Sequence, residues 1–264
     1  MADTGAELLR SDKLTLAFGP KLVQADVSFS VRRGSIFAVM GASGCGKSTV
    51  LRVLAGLLPP TRGKVLVDGE DLWAADSARK SAIGRRFGVL FQSSALWSSL
   101  TVGQNVALPL QMLTQLDAAS IALLVRLKLA LVGMAGAEDM LPSALSGGMR
   151  KRAGLARALA LDPDILFFDE PSAGLDPIAS QRLDELILEL RDGLGATVIL
   201  VSHELPSLLA ICDDGVFLDA DAKTAIGHGA PRHLRDASAH PTIQAFMRRS
   251  SPATATTERA HVGL

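Results

Sequence analysis

A chain of 264 residues with 48% hydrophobic content can bury a substantial core, as one large domain or two small ones. Its 27 basic and 27 acidic residues cancel, which excludes a global field that would gather nucleic acid or an anionic membrane surface; any membrane contact falls to a partner. No run approaches about eighteen uninterrupted apolar residues, Met1 to Asp12 carries acids and no apolar segment, and two cysteines are too few for a disulfide framework, so neither a membrane span nor a signal peptide is expected and cytoplasm is the default.

Leu14, Leu16 and Phe18 alternate, as do Val27, Phe29 and Val31, with Gly19-Pro20 as a turn between them. This predicts a β-meander forming a small antiparallel sheet beside the following loop. Phe18 stands where its ring could stack on a purine, although an aromatic in a strand is more often core. Ile36 to Met40 is a short apolar strand. It leads into Gly41-Ala42-Ser43-Gly44-Cys45-Gly46-Lys47-Ser48-Thr49, which matches the phosphate-binding pattern G-x-x-x-x-G-K-[ST] at every fixed position. Backbone N–H groups must turn inward around phosphate oxygens, and glycines at 41, 44 and 46 remove the side chains that would block them. Lys47 supplies charge to the β and γ phosphates, and Ser48 offers a hydroxyl to Mg²⁺. The residues from Lys47 to Leu57 read as a helix whose N-terminus also favours the anion. Cys45 lies where a thiol reagent should find it, unless it simply fills a tight turn.

Pro59-Pro60, a strand from Lys64 to Val67 and the turn Asp68-Gly69 return the chain to the meander. Phe87 to Phe91 is the next apolar strand, with Gln92 at its end, where an amide could reach a metal or water near the γ phosphate. Residues 100 to 145 change to helical periodicity: Val106, Leu108, Leu110 and Leu113, then Ile121, Leu124, Val125, Leu127, Leu129 and Leu131, broken by Gly133 and Gly136. Leu145-Ser146-Gly147-Gly148-Met149 opens a further helix. Ser146 is a natural N-cap and the glycines leave N–H groups open, giving either a second anion site or an ordinary capped helix with a solvated basic face.

Ile165 to Phe168 reads as a fully buried parallel strand ending in Asp169-Glu170. Asp169 is placed to hold Mg²⁺ through water and Glu170 to take a proton from a water attacking the γ phosphate, against the alternative of two solvated strand-end carboxylates. Ser172 to Asp176 is a polar turn, and Pro177 starts a helix with Leu183, Leu186, Ile187, Leu190 and Leu194 on one face. Val198 to Val201 is another buried strand, followed by His203, which could contact the γ phosphate. A short helix is expected over 240–249 and disorder over 250–264.

Together these residues resemble the ATP-binding cassette (ABC) ATPases over roughly residues 10 to 235. The matches are Phe18 to the aromatic loop, Gly41–Thr49 to the Walker A loop, Gln92 to the Q-loop, Leu145–Met149 to the signature, Ile165–Asp169 with Glu170 to Walker B and its catalytic glutamate, Ser172–Asp176 to the D-loop, and His203 to the switch histidine. The sequence departs from the commonest pattern at Phe18, usually tyrosine, and at Met149, usually glutamine. The resemblance implies an α/β P-loop NTPase fold. It has a mixed, largely parallel core sheet, an antiparallel β subdomain, a helical subdomain at about 93–160 and an extension over 236–264. It also implies ATP and Mg²⁺ as cofactors, with Ser48, Gln92 and Asp169 at the metal and Gln92, Glu170 and His203 in catalysis. The working unit would be a head-to-tail homodimer in which Ser146, Gly147 and Gly148 close over the partner's triphosphate.

Residues Leu90 to Leu110, with Leu-Ser-Gly-Gly-Met-Arg-Lys-Arg and Leu-Asp-Pro-Ile, are similar to the ATPase subunits of Mla/Mce-type bacterial phospholipid transporters, where a methionine signature recurs. That resemblance implies an integral membrane permease whose coupling helix meets residues 93–112, a periplasmic MCE lipid-binding protein and no nucleic acid. The chain would sit peripherally on the cytoplasmic face of the bacterial inner membrane. The alternatives are an ABC ATPase for another solute and a soluble, non-transport ABC ATPase.

Overall fold

The computed structural model describes residues 5–248. The chain begins with the long strands β1 (Glu7–Phe18) and β2 (Lys21–Arg32), which pair antiparallel about the Gly19-Pro20 turn. β3 (Ile36–Met40) carries the chain to the phosphate loop and α1 (Lys47–Leu54). β4 (Arg62–Val67) and β5 (Glu70–Asp71) complete a four-stranded sheet of order β2-β1-β4-β5. After α2 (Ser77–Gly84) and β6 (Phe87–Leu90) come α3 (Val102–Leu113), α4 (Ala118–Leu131) and α5 (Gly147–Ala158). β7 (Ile165–Asp169), α6 (Pro177–Leu194), β8 (Thr197–Val201), α7 (Leu205–Ile211), β9 (Asp214–Leu218), β10 (Ala225–His228), α8 (Pro231–Ala237) and α9 (Pro241–Arg248) follow.

The second sheet has six strands in the order β10-β9-β3-β8-β7-β6, parallel except for β10. Both its faces are covered, which is why its central strands read as unbroken apolar runs. Side chains still alternate along each strand. Ile36, Ala38, Met40, Leu166 and Phe168 join the core beneath the helices, while Phe37, Val39, Ile165 and Phe167 join the core shared with α1 and the antiparallel sheet. The phosphate loop sits where these two layers meet.

Several boundaries differ from expectation. The helix after the phosphate loop stops at Leu54 rather than Leu57, because Gly56 takes a positive φ of 74° and the Leu57 N–H turns back to the Arg52 carbonyl; Leu57 is exposed. In α6, Leu183, Leu186, Ile187 and Leu190 are buried, but Leu194 is exposed where Gly195 (φ 67°) ends the helix. In α4 the inward face is Ile121, Val125 and Leu129, with Leu127 and Leu131 outside. α9 packs Phe246 edge-on against Phe217 of β9, with ring centroids 5.1 Å apart. The disorder expected over 250–264 lies outside the described residues.

Candidate active site

The loop between β3 and α1 is shaped by backbone that only glycine adopts easily. Gly41 has φ 141°, and a Cβ there would lie 2.3 Å from the Leu218 carbonyl oxygen at the end of β9. Gly46, with φ 99°, caps α1 in the left-handed region, and a Cβ there would meet Val23 of β2 at 2.5 Å. The loop is thus wedged between the two sheets, with its N–H groups at the start of α1. Lys47 is buried, and its Nζ donates to the carbonyls of Gly41 (2.9 Å) and Ala42 (3.0 Å).

A cleft of about 550 Å³ opens on this loop. It gathers Phe18, residues Ser43 to Thr49, Gln92, Glu170 and His203, expected from sequence, with Lys21, Leu22, Val23, Ala220 and Lys223, which were not. Phe18 is 54% exposed, so its ring belongs to the cleft wall and not to the core. Asp169 ends β7 and Glu170 follows it; Glu170 lines the cleft, whereas Asp169, like Gly41 and Ala42, lies behind its wall. Ser48 Oγ donates to Asp169 Oδ1 at 2.6 Å, tying the phosphate-loop helix to the end of β7. Glu170 follows with a φ of 50°, and its Oε2 is 2.9 Å from His203 Nδ1. Both carboxylates are buried, Asp169 at 4% and Glu170 at 8% exposure, which rules out a pair of solvated strand-end acids. Gln92 lies two residues beyond β6, on the cleft rim.

Ser146, Gly147 and Gly148 are not in this cleft. Ser146 caps α5 by accepting from the Met149 N–H at 3.2 Å, and the three residues line a separate cavity with Gly174, Leu175 and Asp176 of the turn before α6. The basic face expected for α5 is only partly solvated: Lys151 is 5% exposed and its Nζ donates to the backbone carbonyls of Gln92 and of Glu170 (3.1 Å to the latter). Burial holds its ammonium below the usual lysine range, opposed by the nearby Asp169 and Glu170 carboxylates. Cys45 is 2% exposed, and burial pushes its thiol up, so the expectation of a reagent-accessible thiol is corrected in favour of a small side chain filling a turn.

Gln24 was missed altogether. Its Nε2 donates to the Cys45 carbonyl (2.7 Å) and the Asp219 carbonyl (2.9 Å), tying β2 to the phosphate loop and to the end of β9. Strict alternation from Val27, Phe29 and Val31 puts residue 24 outside. Asp26, at φ 52°, interrupts the register and turns Gln24 inward. The only sequence signal for that was an acid at a bulge, which is not specific.

A phosphate loop ending a parallel strand, an acid bonded to its serine and a buried glutamate paired with a histidine define a P-loop ATPase of the cassette type. The chain belongs to the ABC transporter family, whose description matches residues 24–173. Among its relatives, the Escherichia coli K12 protein "Intermembrane phospholipid transport system ATP-binding protein MlaF" is 41% identical over 247 residues, covering 94% of this chain and 91% of that one. A Mycobacterium tuberculosis H37Rv protein described as "Probable ribonucleotide transport ATP-binding protein mkl" is 38% identical over 89% of this chain and 64% of its own length. The solved dimer of the cassette MJ0796 in a post-hydrolysis state with ADP and phosphate superposes with a TM-score of 0.76 at 26% identity, covering 84% of this chain and 97% of that one. The α/β cassette fold, the ATPase activity and the binding of ATP follow from this membership. Among the described residues, no helix is long and apolar enough to cross a membrane.

Proposed function

We propose that this chain is the ATP-hydrolysing subunit of a bacterial ABC transporter that moves phospholipid between the inner and outer membranes. The observation that carries this reading is the 41% identity to the phospholipid-transport ATPase along 94% of the chain. The 10–235 region would act as the cassette, peripheral on the cytoplasmic face of the inner membrane, held by an integral permease and working with a periplasmic MCE protein.

In this reading Phe18 stacks on the adenine, and the N–H groups of residues 43–49, apart from that of Cys45, which donates to the Ala42 carbonyl at 3.3 Å, take the phosphates. Lys47 exchanges its two loop carbonyls for the β and γ phosphates. Glu170 accepts a proton from the attacking water, and His203, hydrogen-bonded to it, orients the carboxylate and reaches the γ phosphate. The Ser48–Asp169 pair and the Gln92 amide are hard oxygen donors that suit Mg²⁺, which when bound neutralises phosphate charge.

The separation of the signature cavity from the phosphate-loop cleft supports a head-to-tail homodimer, in which Ser146–Gly148 of one copy close over the triphosphate of the other. A surface groove lined by Phe87, Phe91, Trp97, Pro109 and Leu113, with Trp97 60% exposed, is the proposed seat of the permease's coupling helix. The test is a detergent-solubilised pull-down from native membranes, with partners and lipids identified by mass spectrometry. Permease, MCE protein and phospholipid arriving together support the reading. A permease with a soluble-substrate binding protein would leave the ATPase intact and overturn the lipid assignment.

A further inference from the structure

Helix α5 starts at the signature and then runs along the back of the active site. Its residues 151, 154 and 157 lie on one face at a spacing of three. All three touch the segment after β6. Lys151 Nζ donates to the Gln92 carbonyl; a Cβ on Gly154 would lie 3.1 Å from Ser94 Cβ; and Arg157 donates to the carbonyls of Ser94 (2.8 Å) and Ala95 (2.6 Å). Ser94 and Ala95 hold positive φ angles of 61° and 48°, and the bonds from α5 help to hold that shape, beside the Ser94 N–H to Phe91 carbonyl bond and the Asn105 side chain that holds Trp97. Lys151 goes further than the other two, for it also donates to the carbonyl of Glu170, another residue at positive φ. An ammonium at 5% exposure is a costly way to satisfy two carbonyls if packing is its only task, because well-packed apolar replacements of buried charges are often neutral or stabilising.

We propose that Lys151 is a positioning residue that links the signature end of α5 to both Gln92 and Glu170, so that contact of Ser146–Gly148 with the partner's triphosphate sets the geometry of this chain's own hydrolytic site. The link to the partner rests on the head-to-tail dimer proposed above; the grip on Gln92 and Glu170 is internal to the chain. Rigid helix α5 carries the movement, and the backbone carbonyl of Glu170 receives it one residue beyond the Asp169 that binds Ser48.

The experiment compares the parent protein with Lys151→Met and Lys151→Arg, measuring kcat, KM for ATP, the Hill coefficient and the melting temperature. Lys151→Met is expected to melt a few degrees lower, because the buried Gln92 and Glu170 carbonyls lose their donor, yet to stay folded at the assay temperature and hold KM within about twofold, while kcat falls at least about tenfold and the Hill coefficient drops towards one; Lys151→Arg, which keeps two donors and the charge, recovers most of the rate. A Lys151→Met protein with kcat within about twofold of the parent overturns the proposal, as does a rate loss matched by loss of folded protein. Should the methionine variant not fold, Lys151→Gln reports instead, and parental turnover and cooperativity in it overturn the proposal equally. ATP-driven dimerisation of Glu170→Gln is measured alongside. Its absence refutes the dimer reading alone, since the fall in kcat of Lys151→Met reads the internal grip independently.

Discussion

Replacing Glu170 by glutamine tests the chemistry of the site with little change to its shape. The side chain is 8% exposed and held by His203 at 2.9 Å, and its carbonyl is held by Lys151, so an amide of equal size keeps the same place. The positive φ at this position burdens glutamine and glutamate alike, and the melting temperature should not move. What is lost is the proton acceptor. A positioned general base contributes about 10²- to 10⁴-fold, equivalent to about 2.8–5.6 kcal/mol of barrier at about 1.4 kcal/mol per decade. Phosphate release at saturating ATP should fall by that factor. ATP affinity, read by a fluorescent analogue, should hold or tighten, because a negative charge beside Asp169 and the triphosphate has been removed. On gel filtration with ATP the variant should run as a dimer that the parent populates only transiently. Turnover within about threefold of the parent would refute the assignment of Glu170 as the base.

Phe18→Ala should leave stability unchanged, because the ring is 54% exposed, and should weaken ATP binding by about 2- to 13-fold, the equivalent of about 0.5–1.5 kcal/mol for an aromatic contact; Phe18→Trp should bind like the parent. Asp184 of α6 accepts from Ser207 Oγ of α7 at 2.7 Å, and burial raises its pKa more than that hydrogen bond lowers it. A carboxyl raised in the folded state contributes stability that is present below its unfolded pKa and lost as pH rises through the folded value. Asp184→Asn should therefore match the parent in acid and exceed it in melting temperature towards neutral pH, and an equal difference at every pH would contradict this. Burial raises the thiols of both Cys45 and Cys212, so an aromatic disulfide reagent at neutral pH should label neither in the native protein and both in denaturant; rapid native labelling of Cys45 would show that the phosphate loop opens.

The sequence by itself determined four strands of the parallel sheet, β3, β6, β7 and β8, though not β9, together with the phosphate loop and the acids at the end of β7, because each rests on short-range rules. Unbroken apolar runs mark strands buried on both faces, a glycine spacing marks a loop that must expose its N–H groups, and two carboxylates after such a run gain a role from the phosphate loop in the same chain. Helix ends were less legible. Leu57 and Leu194 continue the apolar period past the point where Gly56 and Gly195 turn the backbone, so periodicity alone overran both helices.

Only the tertiary structure decided what lies between elements far apart in the chain. Gln24 reaches Cys45 and Asp219 because a bulge at Asp26 reverses its side. Lys151, which reads as one of three basic residues on a capped helix, is buried because α5 crosses the carbonyls of Gln92 and Glu170. The signature lines a cavity with Gly174, Leu175 and Asp176 of the turn before α6, apart from the phosphate-loop cleft of its own chain. Local patterning sets which residues face inward. Which backbone groups are then left needing a donor depends on the approach of other elements, and no pattern within a single segment encodes that.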